Sequence, residues 1–107
     1  MKIAHIDEMT KGWFVGNFFP TLYPSQEVEV AVKYYRAGDH EKKHSHRVAT
    51  EITAVVSGEV LMAGYRLGPG EIIVLEPGDI TDFTALTDCA TTVVKLPCVA
   101  GDKYEEE

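Results

Sequence analysis

Gly38-Asp39-His40-Glu41-Lys42-Lys43-His44-Ser45-His46-Arg47-Val48-Ala49-Thr50-Glu51-Ile52-Thr53-Ala54-Val55-Val56-Ser57-Gly58 is the stretch on which the reading of this chain turns. His44 and His46 are separated by one residue, Glu51 follows after a short turn, and glycines stand at both ends. On an extended strand, side chains at i and i+2 share a face, so the two imidazoles can reach one ion. Residues 47–50 turn the chain and return Glu51 on the neighbouring strand, where Glu51, Thr53 and Val55 share a face. Two imidazoles and a carboxylate gathered on one side leave positions open opposite. That ligand set suits one divalent transition metal ion: Fe, Mn, Ni, Co or Zn.

Outward from this stretch, the pattern is that of short strands. Val28, Val30, Val32 and Tyr34 alternate with Glu29, Ala31, Lys33 and Tyr35, a period of two. Ala37-Gly38-Asp39 marks a turn. Glu51–Val56 is rich in Ile, Thr and Val and ends at Ser57-Gly58. Val60-Leu61-Met62 and Tyr65-Arg66-Leu67 flank Ala63-Gly64 as a hairpin. Ile72–Leu75 lies between Gly68-Pro69-Gly70 and Pro77-Gly78-Asp79, and Thr91–Leu96 is closed by Pro97. With no long amphipathic helix, the chain is expected to be all-β, a barrel or sandwich in one domain. Residues 1–26 form an aromatic N-terminal segment interrupted by Pro20 and Pro24, residues 27–97 the barrel, and residues 98–107 an acidic tail whose closing Glu105-Glu106-Glu107 run reads as solubilising.

The spacing Gly38-x5-His44-x-His46-x4-Glu51-x6-Gly58 resembles the first signature motif of the cupin superfamily. Gly70-Glu71-Ile72-Ile73-Val74-Leu75-Glu76-Pro77-Gly78 resembles the start of the second. The resemblance runs from about Tyr35 to Pro97 and implies a single-domain jelly-roll barrel with the metal near its centre. It also implies a third histidine three residues after Gly78, where this chain has Thr81, with Ala85 at a later position usually Asn. A neutral hydroxyl is a poor ligand for these metals, so three protein ligands are expected: His44, His46 and Glu51. Asp82, next door, would face away unless a bulge intervenes. His40 reads as a solvent-exposed loop histidine, and His5 lies outside any motif.

In a cupin, the residue two before Ala37-Gly38 points inward, which puts Tyr35 and Lys33 on the cavity side. Lys33, Tyr35 and Asp82 are the expected catalytic side chains, as general acid or base. Lys33 and Lys95 could hold an anionic substrate. The resemblance admits two metal-dependent chemistries, oxygenase and sugar isomerase or epimerase, on a small polar or sugar-like substrate. The alternative is a non-catalytic module that binds a small ligand or the metal itself.

Composition narrows the partners. A net charge of −7 argues against nucleic acid and against anionic membranes. No apolar run reaches the roughly 20 residues of a membrane-spanning helix, and the N-terminus lacks the pattern of a signal peptide. Cys89 and Cys98 flank one strand and are expected to be free thiols, as in the cytoplasm. A chain of 107 residues has a modest core. A homodimer is therefore expected, formed through strand edges and Trp13, Phe14, Phe18 and Phe19.

Overall fold

The alternating segments fold as strands, and their alternation sorts side chains between a filled interior and the outside. The structure is a computed structural model that describes residues 1–107. It contains β1 (Trp13–Val15), β2 (Glu29–Tyr35), β3 (His40–Ser45), β4 (Thr50–Ser57), β5 (Val60–Met62), β6 (Tyr65–Leu67), β7 (Ile72–Leu75), β8 (Ile80–Ala85), β9 (Cys89–Leu96) and β10 (Tyr104–Glu105). One sheet runs β1-β2-β9-β4-β7 and the other β10-β3-β8-β5-β6. Every paired strand is antiparallel. This is the expected all-β jelly roll.

The inner faces meet in an apolar plug at one end of the barrel. Val55, Leu75 and Cys89 of the first sheet pack on Val60, Met62, Leu67, Phe83 and Ala85 of the second. Tyr35 lies against this plug, its ring centroid 4.4 Å from that of Phe83. Burying side chains of this size contributes about 1.5–3 kcal/mol each. The plug therefore anchors both sheets and leaves the opposite end of the interior to polar groups.

The structure adds detail at both ends of the chain. The acidic tail is in part structural: Tyr104–Glu105 pairs with Ser45 and His44 of β3, and Asp102 is buried. The N-terminal segment is in part sheet, because Trp13 and Val15 pair with Ala31 and Val30 of β2. That close approach depends on Gly12, which has φ +80°, and a Cβ there would sit 1.9 Å from the Val32 carbonyl oxygen. Of the four aromatics of this segment, Trp13 lines the barrel interior, while Phe19 is fully exposed. Both cysteines are free, as expected.

Candidate metal centre

His44, His46 and Glu51 come together at the polar end, with one donor atom from each within 4.8 Å of the others. All three residues are buried. The two sheets share the work. β3 and the turn after it supply the histidines, and β4 supplies Glu51.

Each histidine is oriented through its other nitrogen. His44 Nδ1 donates to the Lys42 carbonyl at 2.9 Å, and His46 Nδ1 donates to the Asp102 carbonyl. A proton held on Nδ1 leaves the Nε2 lone pair free for an ion, which is how ligating imidazoles are commonly fixed. His46 Nε2 lies 3.2 Å from Glu51 Oε1, and Thr53 Oγ1 donates to Glu51 Oε2 at 3.0 Å. The Glu51 contact outweighs burial and raises the His46 pKa above its ordinary value. Burial pushes the Glu51 carboxyl up, but the hydrogen bonds from His46 and Thr53 prevail and hold it below the usual carboxylate range. The donor set, its tautomers and its burial fit a divalent ion.

The turn that presents His46 is braced from two directions. The Gly78 amide of the second motif donates to the His46 carbonyl at 2.7 Å. The Asp102 carboxylate accepts from the amides of Arg47, Val48 and Ala49 at 2.9–3.2 Å. Asp102 was not a sequence candidate. No local signal marks it, because the loop it closes lies more than fifty residues earlier in the chain.

The cluster forms one wall of a cavity of about 60 Å³ that is also lined by Lys33, Tyr35, Glu41, Lys95, Lys103, Trp13 and Thr91. Lys33 and Tyr35 are thus on the cavity side, as expected. Burial lowers the Lys33 pKa, with Lys103, Lys11 and Lys95 adding to the effect against an opposing Glu41. Burial raises that of Tyr35, reinforced by the charges of Glu41 and Glu51, so its phenol stays protonated.

Asp82 is placed elsewhere. Thr81 is buried opposite His44 in the β3–β8 ladder. Its neighbour Asp82 therefore takes the other face and borders an outer hollow with Lys43, Ala63 and Gly64. No bulge in β8 reverses the alternation, so Asp82 reaches neither the cavity nor the ion site. His40 is exposed and hydrogen-bonded to Thr84 at 3.0 Å, and His5 caps an exposed turn near the N-terminus.

Glu41 was missed because strict alternation from His44 sends it outward. The ladder advances three residues from Glu41 to His44 on β3 but two from Phe83 to Thr81 on β8. This bulge brings Glu41 back to the face of His44.

No family model matches the chain. Over 56 residues, 49% of this chain, it is 36% identical to the XylDLEGF operon transcriptional activator 3 of Pseudomonas putida. The matched stretch spans only 17% of that activator's length. Among solved structures, an uncharacterised double-stranded β-helix protein of Klebsiella pneumoniae superposes with a TM-score of 0.71 at 22% identity, covering 78% of this chain and 74% of that one. A cupin-superfamily sugar phosphate isomerase from Silicibacter pomeroyi gives 0.62 at 19% identity, over 65% and 50% of the two chains. The DMSP lyase DddQ from Ruegeria pomeroyi gives 0.65 at 23% identity, over 83% and 46%. With two antiparallel sheets closed around a His-His-Glu cluster, and with these structural neighbours, the chain has the cupin-type double-stranded β-helix fold.

Proposed function

We propose that the chain binds one divalent transition metal ion through His44, His46 and Glu51 and acts as a metal-dependent enzyme on a small polar substrate. One observation carries this reading. His46 Nε2 meets the Glu51 carboxylate, and a ring nitrogen of His44 lies within 4.8 Å of both, at the wall of a cavity that also holds Lys33 and Tyr35. A bound ion would supply Lewis-acid polarisation of a substrate oxygen. Tyr35, kept protonated, is a hydrogen-bond donor, and Lys33 faces the same cavity, either as an anchor for an anionic substrate or as a proton carrier. An isomerase or oxygenase is the reaction class this reading favours; the isomerase and lyase among the structural neighbours are compatible with it.

The test is metal analysis of protein purified without chelators. We expect about one ion per chain, and loss of that ion in His44→Ala, His46→Ala and Glu51→Ala. Oxygen-uptake and isomerisation assays on small acids and sugars then read turnover. Full metal occupancy in any of the three variants would overturn the ligand assignment.

A second reading is a non-catalytic ligand-binding module. It is favoured by the sequence match to a transcriptional activator over about half of this chain. Saturable ligand binding without turnover across the panel would select it.

A further inference from the structure

We propose that the cavity binds the carboxylate of a small organic acid between Lys33, Lys95 and Thr91, beside the indole of Trp13. The inference deepens the reading above, since it assigns a substrate class to the same cavity.

It begins with register. Across three neighbouring strands, Glu29, Lys95 and Glu51 stand in one row, Ala31, Val93 and Thr53 in the next, and Lys33, Thr91 and Val55 in the third. All three rows point inward, because Ala31, Thr53, Val55 and Thr91 are buried. On β2, Ala31, the smallest residue of these rows, stands between Lys33 and Glu29, the ladder partner of Lys95 on β9. Both ammonium groups reach the same indole: Lys33 Nζ lies 5.1 Å and Lys95 Nζ 5.2 Å from the Trp13 ring centroid.

The polar groups there are incompletely matched. Lys95 pairs with Glu29 at 3.1 Å, which leaves part of its three-donor ammonium free. Lys33 has no ion-pair partner within 4.0 Å among the salt bridges of the chain. Thr91 Oγ1, on a residue 1% exposed, has no hydrogen-bond partner. A buried hydroxyl and a half-buried ammonium without partners are each unfavourable, and one carboxylate satisfies both with its two oxygens. The lowered pKa of Lys33 reflects the same desolvation penalty, which a bound anion relieves. In this arrangement Lys33 anchors the substrate and is not the proton carrier.

Size and charge select the acid. A water needs roughly 10–15 Å³ of such space, so the cavity of about 60 Å³ holds only a few heavy atoms. Anything larger must extend past Lys33, Tyr35 and Glu41 into an adjoining groove of about 490 Å³ beneath residues 6–12. Glu41 and Glu51 on the remaining wall disfavour a phosphate dianion and suit a singly charged ligand.

Trp13, the only tryptophan of the chain, reports directly on this site. The probes are propionate, its uncharged isostere propionamide, and inorganic phosphate, each titrated into the full chain while indole fluorescence and metal content are followed. We expect a saturable, salt-sensitive response to propionate and none to propionamide. Lys33→Met should weaken propionate by roughly ten- to a hundredfold. Because Lys95→Met alone would strand Glu29, the double variant Glu29→Gln/Lys95→Met serves as the second test and should weaken propionate similarly. Equal responses to acid and amide, tighter binding of phosphate, or unchanged affinity in both variants would overturn the proposal. Full metal content with no propionate response defeats the carboxylate assignment alone. A normal propionate response in protein that binds no metal defeats the metal reading alone.

Discussion

At the scale of single residues, Thr81 explains why the candidate centre offers three protein donors. It lies directly across the ladder from His44 and is 2% exposed, so its side chain is confined to the interior. Its hydroxyl donates to the Asp82 carbonyl at 2.7 Å and is already engaged. Thr81→His should add an imidazole donor and tighten metal binding by an order of magnitude or more, about 1.4 kcal/mol per tenfold. The same change should reduce any activity that needs an open coordination position. Asp82→Ala should leave metal affinity unchanged, because that carboxylate is on the outer face. Chelator competition measures both, and a strong loss on Asp82→Ala with no gain on Thr81→His would reverse the register argued here.

Much of this site was legible at residue level, for a definite reason. His44, His46, Glu51, Lys33 and Tyr35 are related by strict alternation along strands, and alternation can be read without the partner strands. Glu41, Asp102 and Asp82 show where it stops. Glu41 needs the bulge in β3, which is visible only against β8. Asp102 acts through contacts with amides far earlier in the chain. Asp82 was admitted as a candidate only by supposing a bulge in β8, and none is there.

At the scale of elements, the C-terminal segment holds the turn that presents His46 in place. β10 extends the second sheet beside β3, Ser45 Oγ donates to Glu106 at 2.6 Å, and the Arg47 guanidinium lies 3.8 Å from the Tyr104 ring centroid. Asp102 joins both functions, since its carboxylate binds the 47–49 amides while its carbonyl orients His46. Asp102→Ala should therefore cost about 2–3 kcal/mol of stability and weaken metal binding roughly ten- to a hundredfold; Asp102→Asn, which keeps one acceptor oxygen, should be milder. Burial raises the Asp102 pKa, but the amides of Ala49, Arg47 and Val48 outweigh it and hold the carboxyl below 3.8. A depressed pKa gives stability that is complete above the unfolded value and lost as pH falls through the native one. Urea unfolding should thus show the full wild-type advantage at pH 6 and a shrinking one below pH 4. An advantage that does not change with pH would mean that the carboxylate is not the acting group.

At the scale of the whole molecule, two surfaces remain: the outside of the first sheet and the seam between the sheets. Outside, Tyr34, Val56, Ile72, Val74 and Leu96 are all exposed on strands of the first sheet. This apolar face, more than the N-terminal aromatics, is where a second copy is expected to dock. Light scattering should return a dimer, and Val74→Lys should shift it toward monomer; a wild-type monomer at high concentration would reject the expectation. At the seam, His44 comes from β3 of one sheet, His46 from the turn that follows it, and Glu51 from β4 of the other sheet. An ion held there ties the sheets together and should stabilise the entire fold. At a hundredfold excess over Kd the gain is about 2.7 kcal/mol, roughly 10–20 °C in Tm for a domain of this size. Its pH dependence distinguishes the ion from the pair it replaces. In metal-free protein His46 has a raised pKa and Glu51 a lowered one. The contribution of His46 is present below its unfolded value of 6.5 and fades as pH rises through the native value. That of Glu51 is present above 4.5 and fades as pH falls through its lowered native value. Metal binding requires both imidazoles unprotonated at Nε2, so its stabilisation grows as that of the pair declines. Thermal unfolding at pH 5.5 and pH 8, with and without added metal, should give the larger metal-induced rise at pH 8. An equal or smaller rise at pH 8 would show that the added ion binds somewhere other than His44, His46 and Glu51.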